Sequence, residues 1–594
     1  MKFQPEKIDQ LLKTKFFIQP TALIYGGISG LYDYGPFGCA LKQNLINKWR
    51  QFFIDEEGLY EIDASILTPY NVLKASGHVE KFTDLLIFDQ VNGECYRADH
   101  LLESELKKLP QSDEIKSLLN NIECLTAEMV DKAVEKYGIL SNAGNKLGGT
   151  TSFNLMFKTQ MGSQSNNIAY LRPETAQGQF VNFKKIYEIN NEKLPFGTVS
   201  IGKVFRNEIS PRGGLMRVRE FEQAEIEYFV HPDEKTCPKF ESLKELELNL
   251  LFAEEKEQTE HIMTLQEAVK SKIINNELLG YFIGRTFLFL KEIGIKPEYL
   301  RFRQHKKDEM AHYACDCWDA EILSSHGWIE CVGIADRSCY DLSMHQTFSG
   351  VNLNARRNLK EPIIKKVYTP IIDKKRLGKD LKEEFPNFLK EIQKIQKELK
   401  VDEEIEIGYE IIKTIEYEGK SYSVVFKVEE SRNFVDDFIP SVIEPSFGIG
   451  RILYSLIEHS FWIRENDNDR SVLSFKPFMA PVKCVISSLR NSAEFSSLIC
   501  GLRRAFLKNN INAWINERSV SIGKKYASND EVGVPFFVTL DPQTLEDGKA
   551  TLRERDSMEQ VRLNIEDIPT KVRDLCDGVI KWSDLKDTLG IINK

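Results

Sequence analysis

The segments Phe205-Arg206-Asn207-Glu208 and Arg217-Val218-Arg219-Glu220-Phe221 stand on either side of a Pro/Gly loop at residues 211–214. Because β-branched and aromatic residues flank this loop, residues 196–230 are predicted to form a strand, a turn and a second strand. Arg206 and Glu208 are two residues apart and would face the same side of the first strand. An arginine there can hold a phosphate, and a carboxylate can accept a proton from the amino group of a base. The tetrapeptide by itself is also compatible with an ordinary cross-strand salt bridge.

Two further kinds of segment favour a nucleotide site. Phe447-Gly448-Ile449-Gly450-Arg451 opens an apolar helix, where glycines let the backbone approach a ligand and the arginine adds a second cation. Three separate segments each offer a carboxylate: Arg172-Pro173-Glu174-Thr175-Ala176-Gln177-Gly178, Ala224-Glu225-Ile226-Glu227 and Glu444-Pro445-Ser446. Together these pieces indicate phosphate activation combined with recognition of a base.

Length and composition limit the class of protein. At 594 residues the chain is expected to hold several domains, and its 42% apolar and 28% charged residues are typical of a soluble globular protein. The formal charge is 79 minus 89, or −10, which argues against a protein that coats nucleic acid without specificity. No apolar run is long enough to span a bilayer, and residues 1–6 resemble neither a signal peptide nor a transit peptide. The sequence therefore predicts a cytoplasmic protein with no membrane partner.

The cysteines do not indicate a metal site or a disulfide framework. There are eleven, and only Cys315 and Cys317 lie close together. Their Cys-x-Cys spacing on an alternating apolar strand is wrong for a zinc knuckle, even with His305 and His312 nearby. We interpret these residues as strand positions that line or back a pocket, and we expect no zinc.

With these motifs, the chain resembles the class II aminoacyl-tRNA synthetases, and among them the homodimeric glycyl-tRNA synthetases of eukaryotes and archaea. The resemblance extends from about Phe16 to the last helix, and it includes Tyr32-Asp33-Tyr34-Gly35-Pro36 and the segments 310–319 and 333–342. It implies an α/β protein with an α+β catalytic core. In that core an antiparallel class II sheet is flanked by helices and interrupted by insertions, and a C-terminal α/β anticodon-binding domain follows.

The resemblance and the composition together predict a domain order. The expected segments are 1–97 (N-terminal part of the catalytic core with the dimer-interface motif), 98–150 (first insertion), 151–231 (core with the ATP hairpin), 232–296 (second insertion), 297–350 (core), 351–437 (third insertion), 438–476 (core with the final ATP motif) and 477–594 (anticodon-binding domain).

A helix is predicted between Gly38 and Gly58, because Leu41, Leu45, Trp49 and Phe53 recur every four positions. It leads into a strand at residues 60–69 that ends at a proline. This order resembles the class II motif at the dimer interface, which implies a homodimer. An intramonomer core helix is the alternative.

After residue 481 the pattern changes to alternating strands and helices, which predicts a parallel α/β module. Residues 551–562 look like its closing hairpin. Basic residues such as Arg553, Arg555 and Arg562 are candidates for RNA contact, and tRNA(Gly) is the RNA partner that the resemblance implies.

The resemblance also implies roles for individual residues. Arg206 would grip the α-phosphate of ATP and Glu208 the adenine amino group, while Arg217 and Arg451 would hold the terminal phosphates and Phe221 would stack on adenine. Glu330 is the candidate contact for Mg²⁺, and Arg337 is a possible further substrate contact. The implied ATP set is Arg206, Asn207, Glu208, Arg217, Val218, Phe221, Glu330, Cys331 and Arg451, with Arg206 and Arg451 catalytic, and the implied glycine set is Glu174, Glu225, Glu444, Pro445 and Ser446.

The implied reaction joins glycine to ATP as glycyl-adenylate and then transfers glycine to the 3′ end of tRNA(Gly). Two alternatives remain: a non-catalytic synthetase-like protein that binds nucleic acid or serves as an accessory subunit, and another class IIa specificity. A non-catalytic relative should lose the ATP arginines, and here Arg206, Arg217 and Arg451 are all present.

Overall fold

The computed structural model describes residues 3–120, 122, 125–163, 167–211, 213–253, 259–307, 309–402, 405–464, 470–490 and 492–592. Arg212 of the predicted turn lies outside them. The chain divides into two compact units, one formed by residues 1–353 and 440–594 and the other by residues 354–439. Within the described ranges, no helix combines the length and apolar character needed to cross a membrane.

A nine-stranded sheet forms the centre of the larger unit. Two of its neighbour pairs are parallel, namely Glu247–Leu251 with Leu300–Gln304 and Phe196–Phe205 with Tyr60–Glu61, and the others are antiparallel. The strands follow the order Glu260–Thr264, Glu247–Leu251, Leu300–Gln304, Asp316–Ser324, Gly327–Ser338, Ser441–Gly448, Glu220–Val230, Phe196–Phe205 and Tyr60–Glu61.

The hairpin predicted between residues 196 and 230 is confirmed. The first hairpin strand, Phe196–Phe205, pairs with the second hairpin strand, Glu220–Val230, in a continuous antiparallel register. The first strand ends at Phe205, three residues short of Glu208, so Arg206 and Glu208 lie in the loop and not on one strand face. The prediction that strand alternation brings these two side chains together was therefore wrong.

The helix predicted from the apolar stripe is confirmed, as an α-helix at Pro36–Trp49 that continues as a π-helical segment at Arg50–Asp55. A four-residue spacing drifts by about 40° per step in an α-helix, and the wider π-helical turn keeps Phe53 on the core side. Leu41, Leu45, Trp49 and Phe53 are fully buried within the chain. The Trp49 and Phe53 rings lie 5.7 and 5.0 Å from the ring of Phe447. The stripe is thus an intramonomer core, as the alternative interpretation held.

The strand predicted at residues 60–69 is instead two short strands in different sheets, Tyr60–Glu61 and Leu67–Pro69. Between them, Arg172 donates a hydrogen bond to the Ala64 carbonyl at 2.9 Å. A Cβ on Gly178 would lie 2.5 Å from the Ala64 Cβ, so helix Ala176–Phe180 packs directly on this turn. These contacts divert the chain from the central sheet to the small sheet beside it.

Helices and small sheets surround the central sheet. Residues 98–150 are largely helical around a separate apolar cluster, whereas residues 232–296, which we predict as an insertion, supply two strands of the central sheet and a helix of the main core. The helices are Pro5–Thr14, Tyr70–Ala75, His78–Lys81, Ala98–Leu106, Asp113–Asn120, Ala127–Tyr137, Ala176–Phe180, Phe183–Ile189, Leu265–Lys270, Glu277–Ile293, Tyr340–Ser349 and Ile449–Ser460. The small sheets are Ile18–Pro20 with Tyr32–Tyr34; Leu67–Pro69, Ile168–Leu171 and Lys158–Gln160; Cys95–Arg97, Thr83–Phe88 and Thr151–Asn154; and Phe461–Ile463 with Ser471–Leu473.

The C-terminal α/β module has a five-stranded sheet of its own. Its strand order is Ala513–Ile515, Cys484–Ser488, Phe536–Leu540, Lys549–Glu554 and Gln560–Asn564, and the first three strands are parallel, as predicted. The closing hairpin is also confirmed. Its helices are Ala493–Lys508, Ile522–Asp530, Thr544–Asp547, Ile568–Cys576 and Trp582–Leu589.

The arginines that we expected to contact RNA in this module are engaged elsewhere. Arg553 is buried and pairs with Asp530 at 3.0 Å, and Arg555 is buried and pairs with Asp556. Arg562 holds both Asp541 and Asp547. For Arg553 and Arg555 burial contradicts the expectation, because basic residues on a closing hairpin serve equally well as internal ion-pair partners. For Arg562, which is partly exposed, the expectation stays a prediction.

The smaller unit, residues 354–439, is a three-stranded antiparallel sheet with two helices. Its strands are Ala355–Ile371, Lys420–Phe438 and Glu410–Tyr417, and its helices are Lys374–Leu381 and Phe385–Glu398. Phe388, Ile392, Phe426 and Val428 are fully buried in its own apolar cluster.

Candidate active site

A cavity of about 410 Å³ opens over the central sheet and gathers most of the predicted site residues. Side chains reach it by strand alternation: Phe221, Gln223 and Glu225 on the second hairpin strand face the cavity, whereas Ala224 and Ile226 are buried in the core. The predicted residues that line the cavity are Glu174, Arg206, Glu208, Arg217, Val218, Phe221, Glu225, Glu330, Cys331, Glu444, Ser446 and Arg451.

Three predicted residues are not among the described residues that line the cavity. Pro445 lies between Glu444 and Ser446 on strand Ser441–Gly448, so alternation turns it to the opposite face. Asn207 is fixed through its backbone, which donates to the Leu155 carbonyl. Arg337 is buried behind the cavity wall and carries ion pairs there.

One end of the cavity is rich in arginine. The Arg206 Nε donates to the Pro173 carbonyl at 3.3 Å, and its guanidinium lies 5.4 Å from the Phe221 ring centre. Arg451 donates to the Met216 carbonyl from Nε and to the Glu330 carbonyl from a terminal nitrogen. Backbone carbonyls therefore fix both guanidinium groups. These carbonyls carry no net charge, so Arg206 keeps its positive charge for a phosphate, while Arg451 is also paired with the Glu330 carboxylate.

Glu208 and Arg217 lie on the same side of the hairpin loop. The Glu208 Oε1 is buried, has no hydrogen-bond partner within the described part of the chain, and lies 3.9 Å from the Arg217 Nε. Arg217 also approaches the Nδ1 of His100 at 3.5 Å. A carboxylate oxygen without a donor can accept a hydrogen bond from a ligand amino group.

Glu330 provides the acidic group at this end. One of its carboxylate oxygens lies 3.2 Å from a terminal nitrogen of Arg451. Asp319 also lines the cavity and is held by His305 at 2.7 Å and by Arg303 at 2.9 Å. Carboxylate oxygens are the ligands that Mg²⁺ prefers, so this end of the cavity fits a divalent cation.

His305, Cys317 and Asp319 each bring one potential metal-ligand atom within 4.8 Å of the others. Both ion pairs on Asp319 fall on its Oδ2, and the Oδ1 takes part in neither of them. His305 and Cys317 line the cavity, while Cys315 lies just before the strand. The expectation of no zinc stays a prediction.

The other end of the cavity is a chamber of buried carboxylates. Glu225 accepts hydrogen bonds from the backbone and hydroxyl of Thr175, at 2.7 and 2.6 Å, and from the Ser446 hydroxyl at 2.8 Å. Ser446 in turn accepts a hydrogen bond from the Gln223 amide at 2.7 Å. Burial and the neighbouring Glu174 nevertheless raise the pKa of Glu225.

Glu174 is held by a second set of partners. Its carboxylate lies 3.3 Å from the Nε2 of His78 and accepts a hydrogen bond from Gln177 at 2.8 Å. Burial would raise the pKa of Glu174, but His78 and Arg337 outweigh it and lower that pKa. Glu174 is therefore the carboxylate of the chamber that is most firmly ionised.

Glu444 faces Arg337 because of a β-bulge. The register of strand Gly327–Ser338 against Ser441–Gly448 slips between Asp336 and Ser338, so Arg337 is the extra residue. Its guanidinium donates to Glu444 and, at 2.7 and 2.9 Å, to Asp341, and it stacks 3.7 Å from the Tyr313 ring centre. Even so, burial raises the pKa of Glu444 to about 8, with Arg337 opposing the shift.

Sequence reasoning missed several residues that shape the cavity. Gln223 carries a signal that could have found it, since it alternates with Phe221 and Glu225 on one strand. His78 lies outside every matched segment, whereas Tyr313 and Asp341 lie in the matched segments 310–319 and 333–342, which gave them no role. The fold brings all three to the carboxylates.

The chain was compared with known proteins. A family model described as tRNA synthetase class II core domain (G, H, P, S and T) matches residues 157–460, and one described as anticodon binding domain matches residues 483–575. A glycine--tRNA ligase from Encephalitozoon cuniculi is 48% identical over 98% of this chain and 100% of its own length. Similar proteins of the same name come from Bombyx mori, with 45% identity over 98% of this chain and 82% of that protein, and from Methanocaldococcus jannaschii, with 41% identity over 95% and 97%.

These matches cover both the central sheet that carries the cavity and the C-terminal module. They confirm the expected α/β architecture of a class II catalytic core followed by an anticodon-binding domain. The chain belongs to the class II aminoacyl-tRNA synthetases, in the family of the glycine--tRNA ligases.

Proposed function

We propose that this protein activates glycine with ATP and then transfers the glycyl group to the 3′ end of tRNA(Gly). The observation that carries the proposal is the single cavity in which fixed arginines adjoin buried carboxylates. Arg206 and Arg451 match the charge of a triphosphate, and Glu174, Glu225 and Glu444 match the charge of an ammonium group.

In the first step, a carboxylate oxygen of glycine bonds to the α-phosphorus as the bond to pyrophosphate breaks. No protein base is needed, because the glycine carboxylate is already ionised at neutral pH. In the second step, the 3′-terminal hydroxyl of tRNA attacks the glycyl carbonyl and AMP leaves. Arg206 is the residue that we assign to the α-phosphate, where a fixed cation stabilises the charge that develops on the phosphoryl oxygens.

The nucleotide contacts follow from the same geometry. Arg217 and Arg451 would hold the terminal phosphates, and Phe221 would stack on adenine beside Val218. Glu208 would accept from the adenine amino group, because its Oε1 lacks a donor from the described residues. Asn207 and Cys331 would contribute through their backbones, since the Asn207 backbone is anchored to Leu155 and the Cys331 side chain is buried.

Glu330, with Asp319 beside it, offers the oxygen ligands that suit Mg²⁺ at the phosphate end of the cavity. When bound, the ion would neutralise charge on the phosphate oxygens. The pairing of Glu330 with Arg451 keeps this carboxylate next to the arginine that we assign to the phosphates.

Glycine has no side chain to recognise, so the chamber must select its ammonium group and exclude larger amino acids. The Ser446 hydroxyl is held between Gln223 and Glu225, which would place it near the glycine α-carbon. Pro445 would shape the chamber from the strand backbone, and Arg337 would act by holding Glu444 rather than by touching substrate.

We also propose a cytoplasmic location. The described cysteines, ten in number, are all free thiols, as is usual in a reducing compartment. Co-sedimentation of the tagged protein with membranes or organelles would count against this location.

Replacing Arg206 with Ala should lower glycine-dependent exchange of labelled pyrophosphate into ATP by about 100-fold or more, because a charged contact to the α-phosphate is lost. The matched control is Lys203→Ala on the strand that leads to Arg206, which removes only an exposed pair with Glu220 and should leave exchange unchanged. Equal exchange by the Arg206 variant and the wild type would show that Arg206 does not act on the α-phosphate.

The KM for glycine should fall as pH rises from 6 to 8 and level off above pH 8. The empty site holds a proton on Glu444, whose pKa is about 8, and the ammonium group of glycine requires the carboxylate. Below pH 8, Glu444 must therefore lose its proton when glycine binds. The affinity for glycine then falls by up to about tenfold for each unit by which the pH is lowered. Pyrophosphate exchange at several glycine concentrations measures how this KM depends on pH. The variant Glu444→Gln should have a higher KM for glycine and a flatter pH profile. A flat wild-type profile would contradict the assignment.

We propose that tRNA contacts the exposed edge of the C-terminal module where its parallel strands end. Arg490 follows strand Cys484–Ser488, Arg518 follows strand Ala513–Ile515, and both are exposed. Arg518→Ala should weaken tRNA binding and reduce its salt dependence while leaving pyrophosphate exchange intact. Filter binding at several salt concentrations tests this, and unchanged binding by the double variant with Arg490→Ala would overturn it.

We propose a homodimer on the strength of the family resemblance at residues 60–69. Because the stripe around Trp49 is core, the contact must use other residues, and Ile66 and Leu67 are partly exposed there. Light scattering should give twice the chain mass of 68.4 kDa at micromolar concentration, and Leu67→Arg should lower it. An active wild-type protein at the monomer mass would contradict the proposal.

A further inference from the structure

Glu227 is a buried acidic residue that the proposed reaction does not use. Its side chain is fully buried, and both carboxylate oxygens lack a hydrogen-bond partner among the residues that the structure describes. Glu227 stands two residues after Glu225 on the second hairpin strand, so both side chains point to the chamber face.

The strand register puts Glu227 directly opposite Glu444. Glu225 pairs with Ser446 and Tyr228 pairs with Ile443, so Glu227 and Glu444 are cross-strand neighbours. One carboxylate oxygen of each lies within 4.8 Å of the other and of Glu225. Two ionised carboxylates at this separation, away from water, would repel each other strongly.

Among the residues with a described placement, none donates a hydrogen bond to the Glu227 carboxylate. On neighbouring strands and helices, Arg337 donates to Asp341 and Glu444, the Thr198 hydroxyl donates to Gln179, and the Gln179 amide donates to the Glu225 carbonyl. The charged groups that face Glu227 are therefore Glu225 on its own strand, Glu444, Arg337 and Asp341, of which three are acidic. Burial and the neighbouring Glu444 raise the pKa of Glu227 well above its usual range.

A metal ion is a poorer explanation than a proton. A cation between Glu225, Glu227 and Glu444 would compete with Thr175 and Ser446 for Glu225 and with Arg337 for Glu444. Protonation of Glu227 leaves all of these contacts in place.

We propose that Glu227 is a positioning residue for glycine: it stands as a neutral carboxylic acid behind Glu444 and donates its hydroxyl to the Glu444 carboxylate when the ammonium group of glycine is bound. The two carboxylates have oxygens within 4.8 Å of each other, so a side-chain rotation would have to bring them to hydrogen-bond length. The donated hydrogen bond fixes the orientation of Glu444 and keeps the chamber from carrying a further negative charge. This inference rests on the proposed function of the same site.

The test compares two variants of Glu227 by glycine-dependent pyrophosphate exchange. Glu227→Met keeps the volume and removes the donor, and should raise the KM for glycine about 10- to 100-fold with little change in the KM for ATP. Glu227→Gln supplies an amide donor with no charge and should restore most of that loss. Glu222→Gln is the matched control, because Glu222 points to the opposite face of the same strand, where it pairs with Lys42.

Each other outcome would overturn the inference. A normal KM for glycine in Glu227→Met would show that the Glu227 side chain only fills space in the core and donates no hydrogen bond needed for glycine binding. A loss in Glu227→Gln as large as in Glu227→Met would mean that the ionised form is required. If Glu227→Met fails to fold, as judged by its thermal transition, the pH profile of Glu227→Gln decides: an unchanged midpoint supports a neutral Glu227, and a shifted midpoint contradicts it. Absence of glycine-dependent exchange in the wild type would refute the proposed function itself.

Discussion

The ion pairs of Arg337 are the interaction on which the rest of the site depends. This fully buried guanidinium is bonded to Asp341 and Glu444, and it lies 4.0 Å from Glu174. Burying several carboxylates around one cation is costly unless hydrogen bonds and added positive charge compensate. The ammonium group of glycine supplies that charge only when it is bound. A site of this kind binds a small cation strongly and has no need of a side-chain pocket.

One short segment couples the carboxylate chamber to the phosphate end of the cavity. Thr175 donates to Glu225, and the carbonyl of Pro173 orients Arg206. The segment is itself fixed by Arg172, which donates to the carbonyls of Ala64 and Lys203 and lies against Gly202, where any Cβ would collide with it. The groups that we assign to glycine and to ATP are therefore fixed by the same short segment, residues 172–175. This segment would hold the reacting atoms of the two substrates close together.

Local patterns in the sequence predicted much of this fold. Strand alternation around a Pro/Gly break found the hairpin, and alternating elements found the C-terminal module. The carboxylates of the site were predicted from the family resemblance, but several of the described cavity residues lie outside every segment that carried it, Phe82 and Leu155 among them. Local patterns could not predict features that depend on contacts between distant residues. These features are the bulge that directs Arg337 toward Glu444, the loop position of Arg206, and the burial of Arg553 against Asp530.

The central claim is that a buried carboxylate chamber selects glycine by its ammonium group and by exclusion of any side chain. The most direct measurement is exchange of labelled pyrophosphate into ATP with each of the twenty amino acids in turn. The account predicts exchange with glycine alone, because the proposed chamber has to exclude even the methyl group of alanine. Strong exchange with alanine, serine, threonine or proline, and none with glycine, would contradict it.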